Sequence, residues 1–268
     1  MTELLKVSFD HGLGDCVNFA HVMAVYAQHG YAFKATCAED KGIVLRTAAS
    51  VCHSGCGASR VPWHETPGVT RENVDQPWRY NKAAISMNVA PLPPLAILPS
   101  EFWRELCETR IYAGGLVMPT DFEFVDRFIE ALPKPLILVH TMGNTSQDSK
   151  SLSTQETFNL YEALLDFTPG SLILLDWDNR VPRYDSPRVK HLQDDWRTLS
   201  TSELIALMYR ADLLIGVDSG PIHLARMTPI KAIGVWRVIS VVPPKYCPPE
   251  SINSKPSPSM TALLSGVA

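Results

Sequence analysis

Short apolar segments recur along the chain, separated by longer segments in which apolar residues return at helical spacing. The apolar segments span residues 4–9, 31–36, 136–139, 171–175, 213–217 and 231–235. Short continuous apolar runs are typical of strands in a parallel sheet that is covered on both faces. The intervening segments predict helices at 16–29, 100–110, 120–131 and, behind capping boxes, after Ser153 and Ser200. This alternation predicts an α/β fold.

The segment Leu132-Pro-Lys-Pro135 divides this pattern in two, because proline ends a helix and a strand begins at once in Leu136. Strands and helices alternate on both sides, so we predict two doubly wound, Rossmann-like domains that face a cleft. The N-terminal domain is predicted at residues 1–134 and the C-terminal domain at 135–268. The C-terminal domain includes a proline-rich tail of roughly thirty residues, with a short helix predicted at 260–264.

A polar turn follows the strand predicted at 213–217 and reads Asp218-Ser-Gly-Pro-Ile-His223. Its Asp and Ser can cap backbone N–H groups, and its Pro fits the first position of a helix. The free N–H groups of a helix start attract phosphate, and open α/β sheets bind ligands along this edge. We therefore expect a phosphate site here, with His223 as a neutral hydrogen-bond donor. The alternative is an ordinary strand, turn and helix with a capping Asp218 and a packed His223.

The first predicted strand leads into a similar turn, Asp10-His-Gly-Leu-Gly-Asp15, and then into the helix predicted at 16–29. Two glycines permit a tight turn at the end of the strand. Asp15 lies where the helix begins, so its carboxylate either caps the helix or serves as a general base in a cleft. His11, in the same turn, is the substitute base.

Composition narrows the functional classes only slightly. The formal net charge of -4 argues against a general electrostatic grip on nucleic acid. Cys52 and Cys56 form the only cysteine cluster, and no second Cys/His pair stands at a familiar zinc spacing, so we expect no metal site. The sequence has neither an export signal nor an apolar run near the roughly 20 residues needed to span a bilayer. We expect a cytoplasmic protein.

The Gly12-Leu-Gly-Asp15 turn and the Asp218-Ser-Gly-Pro-Ile-His-Leu-Ala225 segment together resemble motifs of the glycosyltransferase family 9 heptosyltransferases. Members of this family adopt the two-domain GT-B fold, so the resemblance implies a GT-B-like pair of Rossmann-like domains. It also implies an inverting hexosyl- or heptosyltransferase. Such an enzyme moves a sugar from a nucleotide-diphosphate donor to an acceptor hydroxyl without a bound metal or other cofactor.

The same resemblance assigns residues to the reaction. It places the general base at Asp15, with His11 as the substitute, and the diphosphate-binding turn at Asp218–His223. Lys150 matches a phosphate-contacting lysine, and Asp178, or alternatively Asp176, matches the acidic residue that holds the nucleoside. The expected donor-binding residues are therefore Gly14, Thr141, Ser146, Lys150, Asp178, Asp218, Ser219, Gly220 and His223.

The acceptor and the reaction class stay open at this point. Family members are usually longer, and the N-terminal half of this chain has no Lys/Arg cluster for a large anionic acceptor. A glycan, a peptide or protein, a nucleobase or a small molecule can serve as acceptor. A sugar-nucleotide epimerase and a catalytically silent nucleotide-sugar-binding module are the two alternatives.

Overall fold

The computed structural model describes residues 3–9, 12–53, 92–93, 95–143, 150–195 and 199–235. Contacts within the chain define two compact units, residues 1–116 and residues 117–268. Each unit contains a parallel sheet. Two residues that the sequence assigns to the site, His11 and Ser146, lie outside the described residues, as does the helix predicted at 260–264.

The first unit is built around a three-stranded parallel sheet in the order β1-β2-β3. Its strands are β1 (Glu3–Ser8), β2 (Tyr31–Cys37) and β3 (Ser50–His53), and its helices are α1 (Leu13–Gln28), α2 (Gly42–Leu45) and α3 (Pro99–Glu108). Every residue of α1 from Cys16 to Met23 is buried. Phe19 of this helix stacks on Phe9 with ring centroids 4.2 Å apart. The core of this unit therefore forms around α1, which fixes the turn that precedes it.

The second unit is built around a five-stranded parallel sheet in the order β6-β5-β4-β7-β8. Its strands are β4 (Leu136–His140), β5 (Ser171–Leu174), β6 (Val189–His191), β7 (Leu213–Val217) and β8 (Lys231–Val235). Its helices are α4 (Pro119–Ile129), α5 (Thr154–Phe167), α6 (Thr201–Arg210) and α7 (Gly220–Leu224). The chain adds β5 and β6 on one side of β4 and then β7 and β8 on the other, which is the doubly wound arrangement predicted for this half.

The burial of the central strands of this sheet explains why the sequence predicts them. Every residue of β4, β5 and β7 is buried, so these strands appear in the sequence as continuous apolar runs. The predicted bounds are confirmed to within one residue. Two strands were not predicted, because β6 has only three residues and β3 lies in a stretch without a clear period.

The helix starts are partly as predicted. The capping boxes that open α5 and α6 are confirmed; at α5, the Glu156 carboxylate accepts from the Ser153 backbone N–H at 2.7 Å. The starts predicted for α3 and α4, at residues 100 and 120, are each one residue late. Each helix begins at a proline, because proline lacks the N–H that the first helical turn leaves unpaired.

The helix α4 belongs to the second unit, although the predicted boundary at residues 134 and 135 assigns it to the first domain. It packs against α6. The Arg210 guanidinium donates to the Asp126 carboxylate with Nε and Oδ1 2.6 Å apart, and Lys190 Nζ donates to the Phe128 carbonyl at 3.1 Å. The compact units therefore divide after Leu116, one helix earlier than the predicted hinge.

No helix among the described residues is both long enough and apolar enough to cross a bilayer.

Candidate functional site

The carboxyl ends of β4 and β7 lie side by side at the centre of the second sheet. The chain order reverses between these two strands, so their carboxyl edge is the topological switch point at which open α/β sheets bind ligands. The strand β4 ends at His140, and β7 leads into the turn that begins at Asp218. The structure therefore brings the polar loop after β4 next to the turn singled out in the sequence.

Asp218 lies at the centre of a three-residue network on this edge. Lys150 Nζ is 2.8 Å from Asp218 Oδ2, and His223 Nε2 is 3.0 Å from Asp218 Oδ1. The side chains of Lys150, Asp218 and His223 are 30, 27 and 17% exposed. The network is thus held together by contacts to both carboxylate oxygens and is still open to a ligand.

The environment of Asp218 keeps its carboxylate charged. Burial opposes ionisation, but the hydrogen bond and charge of His223, together with Lys150, lower the pKa of the Asp218 carboxyl to about 2. Asp218 is therefore a carboxylate at neutral pH, and it can only accept hydrogen bonds.

This charge state fixes the proton on His223. Because the Asp218 carboxylate has no proton to give, Nε2 of His223 must be the donor in their 3.0 Å contact. In a neutral ring the other nitrogen, Nδ1, then carries a lone pair. The Nε2–H of His223 is thus directed at Asp218, and donation from His223 to a phosphate stays a prediction.

Ser219 also has a different role from the helix cap that its position predicts. It precedes α7, but its side chain accepts no hydrogen bond from the helix. Its hydroxyl donates to the Val217 carbonyl at 3.0 Å and lies 2.8 Å from His140 Nδ1. The hydroxyl therefore links the turn after β7 to the last residue of β4.

The helix that follows the turn is short. It contains five residues, Gly220–Leu224, before the chain continues as a 3₁₀ turn. A macrodipole is the sum of aligned peptide dipoles, so a helix of this length adds little to the field at its start. The side chain of Lys150 places a positive charge next to this turn.

The loop after β5 is organised by Asp176. Its Oδ1 accepts from the backbone N–H of Asp178 and Arg180, each at 3.2 Å, and its Oδ2 accepts from that of Val181 at 3.1 Å. Asp176 is buried, whereas the Asp178 side chain is 51% exposed and pairs with Arg180 Nε. Of the two aspartates considered from the sequence, Asp178 is the one whose carboxylate can reach a ligand.

Trp177 and His140 connect this loop to the switch point. Their rings meet edge to face with centroids 5.7 Å apart, and the Trp177 indole donates to the Leu199 carbonyl at 3.3 Å. Sequence reasoning missed both residues, and Arg180 as well. A signal was present for His140, because a histidine that ends a buried apolar run must lie at the edge of the sheet.

Two more of the expected donor-binding residues belong to the second unit. Thr141 is only 1% exposed, so its side chain is buried next to this edge of the sheet. Gly220 is the first residue of α7 and is partly exposed on the carboxyl edge. Close to Thr141 in the chain, the Gly143 N–H donates to the Ser151 hydroxyl at 3.0 Å.

The remaining expected residues, Asp15 and Gly14, lie in the first unit. Both are in the first turn of α1, which begins after β1 and the turn at Gly12. A Cβ added at Gly12 would lie 3.4 Å from Asp15 Oδ2, so the carboxylate is close to the backbone that precedes the helix. Asp15 thus follows the first strand as predicted, but it lies inside the helix, which begins at Leu13 and not at the predicted residue 16.

Several solved structures share this fold, among them two glycosyltransferases. The first is ADP-heptose lps heptosyltransferase II of E. coli, with a TM-score of 0.56 and 11% identity over 93% of this chain and 88% of that one. The second is a glycosyl transferase family 9 protein from Veillonella parvula DSM 2008, with a TM-score of 0.56 and 14% identity over 98% and 91%. No family model and no curated protein matches the sequence. The chain therefore has a heptosyltransferase-like fold, of the kind found in glycosyltransferase family 9.

Proposed function

We propose that this protein is a glycosyltransferase that moves a sugar from a nucleoside-diphosphate donor to an acceptor hydroxyl. The observation that carries the proposal is the pairing of Lys150 with Asp218, at 2.8 Å, on the switch point of the second sheet. This is where doubly wound sheets bind phosphorylated ligands, and Lys150 is a point charge that suits phosphate. The fold shared with two glycosyltransferases supports the same activity class.

Lys150 is the principal donor to the diphosphate in this proposal. An ammonium group has three N–H bonds, and the Asp218 contact uses one of them. The others are available to the phosphate oxygens, where negative charge grows as the nucleoside diphosphate leaves. Lys150 and the neighbouring polar groups can stabilise this charge without a bound metal ion.

Asp218 positions the other residues and does not contact phosphate itself. A carboxylate repels a diphosphate, and both Asp218 oxygens are already engaged by Lys150 and His223. Its function is to hold the Lys150 ammonium at the sheet edge. The nucleoside is assigned to the loop after β5, where the exposed Asp178 carboxylate can accept a hydrogen bond from a ribose hydroxyl.

Asp15 is the proposed general base. It takes the proton of the acceptor hydroxyl while the acceptor oxygen bonds to the sugar carbon and the bond from that carbon to the diphosphate oxygen breaks. Attack on the face opposite the leaving group inverts the configuration of the sugar carbon. The GT-B-like cleft between two domains is part of this proposal.

Calorimetric titration tests the donor assignment. ADP, UDP and GDP are titrated in turn into the protein in the presence of excess EDTA. The proposal requires saturable binding of at least one of them, with a dissociation constant in the micromolar to millimolar range typical of enzyme substrates. A folded protein that binds none of the three contradicts the proposal.

Turnover then separates transfer from epimerisation. Sugar derivatives of the nucleotide that binds are incubated with panels of hydroxyl-bearing acceptors. A transferase releases the nucleoside diphosphate in proportion to the acceptor present. Conversion of the donor sugar to an epimer with no acceptor contradicts the proposal and supports the epimerase alternative.

A further inference from the structure

His140 makes the structural link between the two loops of the site, and the sequence motifs give it no role. It is the last residue of β4 and is 7% exposed. On one side its Nδ1 is 2.8 Å from the Ser219 hydroxyl, and on the other its ring meets that of Trp177. Ser219 and Trp177 follow β7 and β5, the two neighbours of β4 in the sheet.

The hydrogen bonds around Ser219 fix the tautomer of His140. The Ser219 hydroxyl has one proton and lies within hydrogen-bonding distance of both the Val217 carbonyl and His140 Nδ1. The carbonyl can only accept, so the proton satisfies it, and the second contact is then satisfied only if His140 Nδ1 carries a hydrogen. Both contacts are made when His140 is the Nδ1–H form.

The charge state of His140 agrees with this tautomer. Burial lowers the pKa of His140 to about 4, against the opposing effect of the nearby Asp178. The ring is therefore neutral at physiological pH. A neutral ring has one N–H, and the geometry directs it at Ser219.

We propose that His140 is a positioning residue of the site: its Nδ1–H holds Ser219, and through Ser219 it sets the position of the adjacent Asp218. Asp218 in turn holds Lys150 and His223. This inference rests on the proposed nucleoside-diphosphate site and adds to it a residue that contacts neither phosphate nor sugar. It predicts that diphosphate affinity depends on a hydrogen-bond donor at the Nδ1 position of residue 140.

Two substitutions at His140 test the roles of its two ring nitrogens separately. The amide of His140→Asn can place an N–H close to the position of Nδ1, whereas the longer His140→Gln places its amide near the position of Nε2. Both variants lose the ring contact with Trp177, so the difference between them reports the Ser219 bond. We expect His140→Asn to bind within about threefold of wild type and His140→Gln about tenfold more weakly.

Calorimetry with ADP, UDP and GDP measures the nucleotide affinity of both variants, and thermal unfolding shows that each variant is folded. In a Ser219→Ala background, the difference between Asn and Gln at position 140 is expected to disappear, because the acceptor of the bond is gone. Equal nucleotide affinities of the two variants when Ser219 is intact contradict the proposal. Wild-type protein that binds none of the nucleotides overturns the proposed function, and the role of His140 with it.

Nuclear magnetic resonance provides a test that does not depend on a ligand. Two-bond proton–nitrogen spectra of ¹⁵N-histidine-labelled protein identify which ring nitrogen carries the hydrogen. We expect a neutral Nδ1–H ring for His140 between about pH 5 and pH 8, given its buried position. An Nε2–H ring or an imidazolium in this range contradicts the proposal, even if nucleotides bind.

Discussion

The two strand-to-helix junctions of this molecule, after β1 and after β7, look alike in sequence and differ in structure. Each has a strand, a glycine-containing turn and an aspartate near the start of the next helix, but β7 is buried throughout whereas β1 has exposed residues such as Leu4. Asp15 lies in the first turn of the 16-residue α1, whereas Asp218 precedes the five-residue α7. The Asp218 carboxylate is held by a lysine and a histidine.

The difference concerns what each carboxylate can do. Asp218 has a strongly lowered pKa and both oxygens engaged, which suits a residue that holds other groups in position. Asp15 lies half-buried in the first turn of a long helix, and its role as general base is the proposal made above. In the proposed function, the same local sequence pattern therefore supports positioning in one unit and proton transfer in the other.

The largest predicted effect is on Asp15. Replacing Asp15 with Asn keeps the size of the side chain and removes the base, so turnover is expected to fall by a factor of about 10² to 10⁴. Nucleotide affinity, measured by calorimetry, is expected to stay within about twofold, because the donor is assigned to the other unit. Glu39→Gln, an exposed substitution in the same unit, serves as the control. Weakened donor binding with normal turnover would refute the base assignment.

The next effect is on Asp218. The substitution Asp218→Asn removes the charge that holds Lys150 and His223, and we expect nucleotide affinity to fall by about 10- to 100-fold. Calorimetry measures the loss, and the far-ultraviolet circular dichroism spectrum is expected to be unchanged. If affinity rises on loss of the negative charge, Asp218 opposes the diphosphate and does not position its ligands.

The lowered pKa of Asp218 also predicts a pH dependence of stability. Its folded-state pKa of about 2 lies below the ordinary value of an aspartate, so its charge stabilises the fold above about pH 4. This contribution is lost as the pH falls from about 4 towards 2. Urea unfolding of wild type and Asp218→Asn is expected to give a difference that is constant from pH 5 to 8 and shrinks at pH 3. The exposed Asp185→Asn is the control, and a difference that grows at pH 3 contradicts the assignment.

The smallest effect separates helix capping from the site. Ser153 caps α5 by accepting from the Glu156 N–H, whereas the Ser219 side chain caps no helix. Ser153→Ala is expected to lower the free energy of unfolding by about 1 kcal/mol and to change nucleotide affinity less than twofold. Ser219→Ala is expected to change nucleotide affinity more than it changes the free energy of unfolding. Chemical unfolding and calorimetry measure both quantities for each variant. Equal effects of the two substitutions would contradict the distinction between a helix cap and a site residue.

The sequence predicts the fold of the second unit well for a physical reason. Its central strands are buried on both faces, and α5 and α6 begin at capping boxes, so both kinds of element leave strong local patterns. The membership of α4 was not predictable in this way. It depends on packing against α6 and on the pair between Asp126 and Arg210, which are far apart in the chain.

The site was likewise only partly predictable, because some of its contacts join residues that are far apart in the chain. The motif residue Asp218 and the more distant Lys150 were both expected from the sequence, and the structure brings them together. The roles of Asp176 and Asp178 were left open, because only the folded loop shows that backbone N–H groups occupy both oxygens of Asp176. His140 was missed since its partner Ser219 is brought to it by sheet pairing, which no local pattern encodes.

The central claim is that Lys150 receives the diphosphate of a nucleotide, and a matched pair of lysine substitutions tests it most directly. Lys190, in the same unit, donates to the Phe128 carbonyl and lies over its ring, so Lys190→Gln is the control for Lys150→Gln. Nucleoside-diphosphate affinity is measured by calorimetry in EDTA at two salt concentrations. The account predicts about tenfold weaker binding and a weaker salt dependence for Lys150→Gln, with Lys190→Gln like wild type. Equal affinity of wild type and Lys150→Gln would contradict it.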